Sequence, residues 1–260
     1  MITNHPLFSI VTCIKNQENH IAKNLESLAE QTFRYFEHII IDGKSTDNSL
    51  AVIKKYQKKY PNQARIYSYP PKGISAAMNS GIRHARGKYL LHLHADDSLY
   101  DPQVLADSAS FLLSHPELDW TYGQIRVIEV DGRQVGIFPG RYLFKRSDSV
   151  LLKYYNFIPH QAVFIKKTVF NRYSGFDKSL SSQMDYDLWL RITGRTKWVF
   201  YNRLVSNFTI RSDAQSSSLI KRQENQANLF KVLKRHLTPS QYFFSKRLDW
   251  VIQKYNRTLR

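Results

Sequence analysis

The sequence predicts an α/β fold: a mostly parallel central sheet flanked by helices, with a helical extension at the C-terminal end. Three observations predict it. Short β-branched runs alternate with helix-period segments through the first half, the pattern of a parallel sheet with crossover helices. Three of those runs end on polar residues, at what would be the carboxyl edge of such a sheet. The stretch from Leu219 to Arg260 is strongly basic and interleaves its cations with Leu, Phe and Trp, which reads as a helical tail.

Each element has its own signal. Phe8 to Ile14 is a short apolar, β-branched run and reads as a buried strand. Asn16 or Asn19 can cap the helix that follows, with Ile21, Leu25 and Leu28 at helical spacing. Phe36 to Ile41 is a second strand, closed by Asp42-Gly43. Asp47 can cap a second helix, with Leu50, Ile53 and Tyr56 on one face and Lys54, Lys55, Lys58 and Lys59 on the other. Arg65 to Tyr69 is a third, shorter strand. Ile74 to Ala85 reads as a helix stopped by Gly87, and Tyr89 to Leu93 as a fourth strand ending on His94-Ala95-Asp96-Asp97.

The second half is less regular. Gln103 to Ser114 reads as a helix. Trp120 to Val130 and Gln134 to Phe138 flank Asp131-Gly132, a hairpin signal. Ser147 to Tyr155 and Thr168 to Tyr173 read as short helices, Asp185 to Thr193 as a longer one, and Trp198 to Tyr201 as a last strand. The polar stretch Ser212 to Ser218 is the best boundary. It divides the chain into a domain over 1–212 and a basic helical extension over 213–260.

Composition narrows the function classes. With 260 residues and 42% hydrophobic content the chain can bury a real core, so global disorder is excluded. No apolar run is long enough to span a bilayer. Met1 to Pro6 is polar and Lys15 interrupts the first apolar stretch, so no signal peptide is expected. Cys13 is the only cysteine, which excludes an internal disulfide and suits a reducing cytoplasm. The net charge of +17 favours an anionic partner: nucleic acid, an anionic membrane face or a diphosphate. The basic tail itself reads equally as a solvated helical surface or as a membrane-facing patch.

Chemistry is expected at the strand ends. The first supplies Thr12, Lys15, Asn16 and Glu18; the second Asp42, Lys44, Ser45 and Asp47; the fourth His94, Asp96 and Asp97. A strand-end carboxylate can accept bonds from ribose hydroxyls or a base N–H. The pair Asp96-Asp97 is costly without a nearby cation, and a hard divalent ion would remove the cost while bridging to substrate phosphates. Asp97-Ser98 also fits a plain turn or cap.

Taken in order, Ser9 to Asn16 (SIVTCIKN), Ile41 to Ser49 (IDGKSTDNS), Gly73 to Gly81 (GISAAMNSG) and Leu93 to Asp97 (LHADD) resemble the family 2 glycosyltransferases of GT-A fold. Pro159 to Phe164 (PHQAVF) and Asp185 to Arg191 (DYDLWLR) are similar to the branch that builds bacterial surface polysaccharides, including colanic-acid-type transferases. The resemblance runs from about Pro6 to Arg211. It implies an inverting transfer of a sugar from a nucleotide-diphosphate sugar to a hydroxyl of a sugar or lipid-linked acceptor. It places Thr12, Asn16, Glu18, Asp42, Ser45 and Asn79 around the donor, with Asp47 shaping the loop. Asp96 falls on the last acid of the family's Asp-x-Asp motif, which holds Mn or Mg on the diphosphate, with Asp97 and His94 beside it. The resemblance adds His160 and Gln161 to the substrate site, although a lone His reads equally as a satisfied core or loop residue. Asp185 falls on the catalytic base, although as an isolated residue it reads as a carboxylate favoured by a helix N-terminus. Arg211 can pair with the diphosphate, since a guanidinium matches phosphate oxygens, and reads equally as a solvated cation.

The chain departs from the family pattern in places. His94 stands for the first acid of Asp-x-Asp, Gly43 for a second Asp, Met184 for the acidic partner of the base, Cys13 for Pro and Lys15 for Tyr. Aromatic residues Tyr154, Tyr155, Phe157 and Trp189 suit a core role better than sugar stacking. Two other readings compete. A sugar nucleotidyltransferase would share the nucleotide-binding sheet, but no early glycine-rich loop is present. A non-enzymatic nucleic-acid-binding protein would suit the charge, but it would carry a zinc or aromatic-basic signature that this chain lacks, so no nucleic-acid partner is expected. The reaction is expected in the cytoplasm, with the inner membrane face as an alternative place of work.

Overall fold

The computed structural model describes residues 5–60, 64–139, 149–210 and 219–246. The first half follows the expected alternation: β1 (Phe8–Ile14), α1 (Ile21–Ala29), β2 (Phe36–Asp42), α2 (Ser49–Lys59), β3 (Ala64–Ser68), α3 (Ile74–His84) and β4 (Tyr89–His92). After it come β5 (Ser98–Leu99), α4 (Val104–Ser114), β6 (Trp120–Glu129), β7 (Gln134–Phe138), α5 (Ser149–Leu152), a 3-10 turn at His160–Ala162, β8 (Val163–Lys166), α6 (Lys167–Arg172), α7 (Met184–Ile192), β9 (Trp198–Ile210) and α8 (Leu219–His236).

One sheet takes the order β3-β2-β1-β4-β8-β6-β9-β5, with β7 paired to β6. Strands β3, β2, β1 and β4 run parallel. Beyond β4 the sheet is mixed: β8 is antiparallel to both β4 and β6, β9 is parallel to β6, and β5 is antiparallel to β9. The parallel part is buried on both faces, which is why β1 and β2 read as largely apolar runs, with Ser9, Thr12, Glu37 and His38 buried among them.

The differences from expectation have local causes. Strand β9 continues through Asn202 and Arg203 to Ile210; those polar residues hide its alternation. Strands β5 and β8 are two and four residues long, too short to show a period. Neither Asn16 nor Asn19 caps α1, whose N-cap is His20 with no side-chain bond. Asn16 instead sits at φ 54°, a left-handed turn that asparagine tolerates. Asp47 lies one residue before the N-cap of α2, yet its Oδ1 accepts the Ser49 N–H at 3.0 Å.

Packing joins the two halves. One cluster combines Val11, Ile39 and Ile41 of the parallel strands with Met78 and Ile82 of α3 and Leu188, Trp189 and Ile192 of α7. Trp120 lies between two other indoles, stacked on Trp198 at 4.8 Å and 6° and on Trp189 at 5.3 Å and 17°. Val232 and Leu233 of α8 enter the same cluster. The apolar face of α8 is therefore used by the core, leaving Phe243 and Phe244 as the exposed aromatics of the described tail. The boundary expected at Ser212–Ser218, and the tail beyond 246, lie outside the described residues. Among the described residues, no helix is long and apolar enough to cross a membrane.

Candidate active site

Parallel strands bring their carboxyl ends to one edge, and there a cleft of about 790 Å³ opens. Its walls are Cys13 to Lys15 after β1, Ile41 to Gly43 after β2, Tyr69 to Lys72 after β3, one face of α3, and Lys178 from the second half. Four cations, Lys15, Lys72, Arg83 and Lys178, line it against a single carboxylate, Asp42. That balance attracts an anionic ligand. Burial pushes the Cys13 thiol up to about 12, so it stays a neutral, apolar wall.

Asp42 forms the floor. It is fully buried; Oδ1 accepts the Ser45 N–H at 3.0 Å and Oδ2 the Ser68 hydroxyl at 2.7 Å. Burial opposes its charge, but the bonds from Ser45 and Ser68 outweigh it and hold the carboxyl below its ordinary value. The neighbouring loops are laced together. Ser45 Oγ accepts the Asn16 N–H at 3.0 Å and Asn16 Oδ1 accepts the Thr46 N–H at 2.9 Å. Asp47 Oδ2 accepts the Glu18 N–H at 3.0 Å, and Glu18 Oε2 accepts the Asn48 N–H at 2.8 Å.

The residues expected around the donor take different places. Of the six residues placed around the donor, Asp42 lines the cleft. Asn16, Glu18 and Ser45 build the loops beside it. Thr12 lies beneath the sheet surface, fully buried, with its hydroxyl 2.9 Å from His38 Nε2. Asn79 faces the other way: it donates to the Phe176 carbonyl at 2.7 Å and accepts the Phe176 N–H at 2.9 Å. The polar residues on these inward faces, Thr12 and Asn79, have their hydrogen bonds met within the fold. The cleft residues not singled out from the sequence are Tyr69, Lys72, Arg83 and Lys178. The Pro70-Pro71-Lys72-Gly73 loop after a strand could have revealed Tyr69 and Lys72, whereas Arg83 reads only as a basic residue in the last turn of α3. Lys178 carries no local signal, because only long-range folding brings it to the cleft.

A second group of side chains gathers where β4 ends. The rings of His94 and His160 meet edge to face at 4.6 Å, and His160 Nδ1 lies 3.3 Å from Asp185 Oδ2. His160 Nε2 is buried without a partner. Asp185 stands in the first turn of α7, where its Oδ1 accepts the Tyr186 N–H at 2.8 Å. The turn before it is tight: Gln183 has φ 61°, in the left-handed region. Burial, followed by the field of His160, pushes His92 down to about 3 and His94 well below its ordinary value, so both rings are neutral near pH 7. Asp187, the next acid along α7, is buried and bound by Arg191 Nε and His236 Nε2, each at 2.9 Å. It is committed to ion pairs.

The expected metal set is only partly assembled. Among the described residues, no three His, Cys, Asp or Glu side chains come close enough to hold a metal ion. His94, Asp96 and Asp97 therefore do not close a cage of their own. Asp97 is buried with neither carboxylate oxygen in a well-formed hydrogen bond, and burial together with the charge of Asp96 drives its carboxyl well above the usual range. An orphaned carboxylate beside a half-buried one fits a cation whose remaining ligands come from a diphosphate and water. Gln161 is buried against Asp97 and only partly offsets that rise. Phe157 and Trp189 are core residues and Tyr154 and Tyr155 are half-buried. Arg211 lies outside the described residues.

A family model, Glycosyl transferase family 2, matches residues 9–173, which holds the cleft loops, His94, Asp96 and His160. The chain belongs to glycosyl transferase family 2. Membership makes it an enzyme and sets aside the nucleotidyltransferase and non-enzymatic readings. A PGL/p-HBAD biosynthesis glycosyltransferase of Mycobacterium bovis is 32% identical over 187 residues, 72% of this chain and 69% of the relative. Chondroitin synthase of Escherichia coli is 26% identical over 90% of this chain and 33% of its own length. Among solved structures, S. aureus TarS 1–349 in complex with UDP-GlcNAc superposes with a TM-score of 0.70 at 21% identity, over 86% of this chain and 65% of that one. The mannosyltransferase PcManGT from Pyrobaculum calidifontis, in complex with GDP-Man and Mn2+, gives a TM-score of 0.67 at 16% identity, over 92% and 68%. The fold of this family 2 member is thus of GT-A type, with a mixed central sheet flanked by helices. The chain spans under two thirds of TarS 1–349 and a third of chondroitin synthase.

Proposed function

We propose that this glycosyltransferase takes a nucleotide-diphosphate sugar into the cationic cleft and transfers the sugar, with inversion, to an acceptor hydroxyl deprotonated by Asp185. The observation that carries the reading is the pairing of the two sites. A cleft with four cations and one carboxylate suits the nucleotide diphosphate, and a carboxylate held by His160 stands at the ledge where β4 ends. The nucleotide-sugar complexes of the structural neighbours support the donor class.

The chemistry balances without an acid for the leaving group. Asp185 accepts the proton of the acceptor hydroxyl as its oxygen bonds to the anomeric carbon. The bond from that carbon to the diphosphate oxygen breaks, and the diphosphate departs with the electron pair. His160 orients the Asp185 carboxylate through Nδ1. A divalent cation held by Asp96, with Asp97 and His94 beside it, would supply Lewis-acid stabilisation of the developing negative charge. Lys15 and Lys178 draw the anion into the cleft, and Tyr69 offers an aromatic face to the base. The Mn2+ in the PcManGT complex supports the metal reading.

The acceptor is a sugar or a lipid-linked sugar of cell-surface polysaccharide synthesis, in the branch that includes the colanic-acid-type transferases. The reaction takes place in the cytoplasm or at its membrane face. A melting-temperature screen of UDP- and GDP-sugars, with and without Mn2+, tests the donor reading, because a bound ligand stabilises by mass action. The true donor raises the melting temperature, and more so with Mn2+. Asp96→Asn removes the Mn2+ increment with the fold intact. No response to any nucleotide-sugar rejects the donor, and an increment that survives Asp96→Asn rejects the metal. The anomeric configuration of the product, read by NMR, decides inversion.

A further inference from the structure

We infer that α8 is a positioning element of the active site: its polar stripe braces the segment 176–187, which carries both Lys178 of the cleft and Asp185 of the ledge. The inference rests on Asp185 acting as the base, as proposed above. Glu224, Asn228, Lys231 and Arg235 recur at helical spacing and therefore share one face of α8. All four reach the same segment. Ser181 donates its hydroxyl to Glu224, while Asn228 Nδ2 donates to Ser181 Oγ at 2.9 Å and to Ser182 Oγ at 3.1 Å. Lys231 Nζ donates to Ser179 Oγ at 3.2 Å, and Arg235 Nη1 to Asp177 Oδ2 at 2.6 Å. His236 closes the stripe on buried Asp187.

The contacts fall on either side of the two functional residues. Asp177 and Ser179 flank Lys178, and Ser181 and Ser182 precede the left-handed Gln183 that turns the chain into Asp185. The opposite side of the segment is tied to the cleft helix α3. Ser75 donates its hydroxyl to the Leu180 carbonyl at 2.6 Å, and Asn79 holds Phe176 through two bonds. The segment is thus clamped between the donor wall and the tail. A left-handed non-glycine residue persists only where its surroundings fix it. A base displaced by about 1 Å loses much of its rate, so a brace at this place acts on catalysis. The tail is then a working part of the transferase domain and not an appendage to it.

Steady-state kinetics on the full chain, with UDP-GlcNAc and GDP-mannose assayed in parallel, separate the two ends of the brace. Asn228→Ala is expected to lower kcat about ten-fold with the donor KM nearly unchanged, because its bonds lead to Asp185. Arg235→Ala is expected to raise the donor KM about three-fold or more with a smaller effect on kcat, and Arg235→Lys to restore it. Amide hydrogen exchange gives a readout that needs no donor: both alanine variants should speed exchange over 177–187 and leave β1 to β4 unaffected. Unchanged exchange over 177–187, or kcat and KM losses that merely follow the melting temperature in both variants, would overturn the brace. Asp185→Asn run alongside separates the two ideas. An inactive Asp185→Asn with a fully active Asn228→Ala removes the brace and keeps the base. A fully active Asp185→Asn removes both.

Discussion

The two halves of the sheet reach the same active edge by different means. In β1 to β4 the backbone does the work: four parallel strands end together, so their loops assemble the cleft as a consequence of topology. In β5 to β9 the strands are short or mixed in direction, and their ends do not converge. The functional groups there come from a 3-10 turn and a helix start, and side-chain bonds across the fold hold them. The cleft is therefore robust and tunable residue by residue. The ledge depends on contacts between segments far apart in sequence, such as Asn79 with Phe176 and Arg235 with Asp177.

This contrast can be broken or sharpened by measurement. The largest effect belongs to Asp185→Asn, which should cut turnover ~100- to 10,000-fold while leaving donor affinity within about two-fold. Loss of donor binding in that variant would mean that the ledge and the cleft are one site after all. The next concerns stability. Leu233→Ala empties a core position supplied by the tail and should cost about 2–5 kcal/mol, in a single unfolding transition shared by cleft and tail. Two separate transitions, or none changed, would restore a tail that folds on its own.

A smaller effect comes from buried imidazoles. Burial pushes both His38 and His92 down to about 3, against ~6.5 in an unfolded chain. The folded pKa lies below the unfolded one, so the unfolded chain binds more protons between the two. The stabilisation is complete above pH ~6.5 and is lost as pH falls toward about 3, by up to about 1.4 kcal/mol per pH unit for each ring. His38→Gln should flatten the acid limb of a stability-pH curve; an unchanged slope would show that His38 gains protons equally in both states. The smallest effect is expected at the surface. Phe243 and Phe244 are exposed beside Lys246, and anionic vesicles should retain the protein at low salt and release it at high salt, each cation contributing about 1 kcal/mol. Phe243→Ser with Phe244→Ser should weaken retention. Equal binding to neutral vesicles would separate the charge of the tail from any role at a membrane.

The half that carries the cleft was legible in the sequence because its signals are local. Apolar runs such as Phe8–Ile14 mark strands, and polar residues at their ends mark the edge. The same local reading could not say which polar residues face inward. Thr12 and Asn79 sit on buried faces and bond the fold, whereas Tyr69 and Lys72, in a proline-glycine loop, form the wall. In the second half the signals weaken. Strand β8 is four residues long, and β9 hides its length behind Asn202 and Arg203. Asp185 stood out only through the family pattern, since an acid in a first helical turn has an ordinary explanation. Its contact with His160, 25 residues earlier, is a product of tertiary packing that no spacing records.

The indole stack described above makes the less legible half observable. Three of the four tryptophans, Trp120, Trp189 and Trp198, lie face to face in one cluster, and Trp189 is one helical turn beyond Asp185. Stacked indoles in a fixed mutual orientation couple their electronic transitions, so near-ultraviolet circular dichroism and intrinsic emission report chiefly on the packing of α7 against β6 and β9. The protein carries its own optical gauge of the region around Asp185. A ligand that settles α7 would change this signal without any added label, and one that only fills the cleft would leave it quiet.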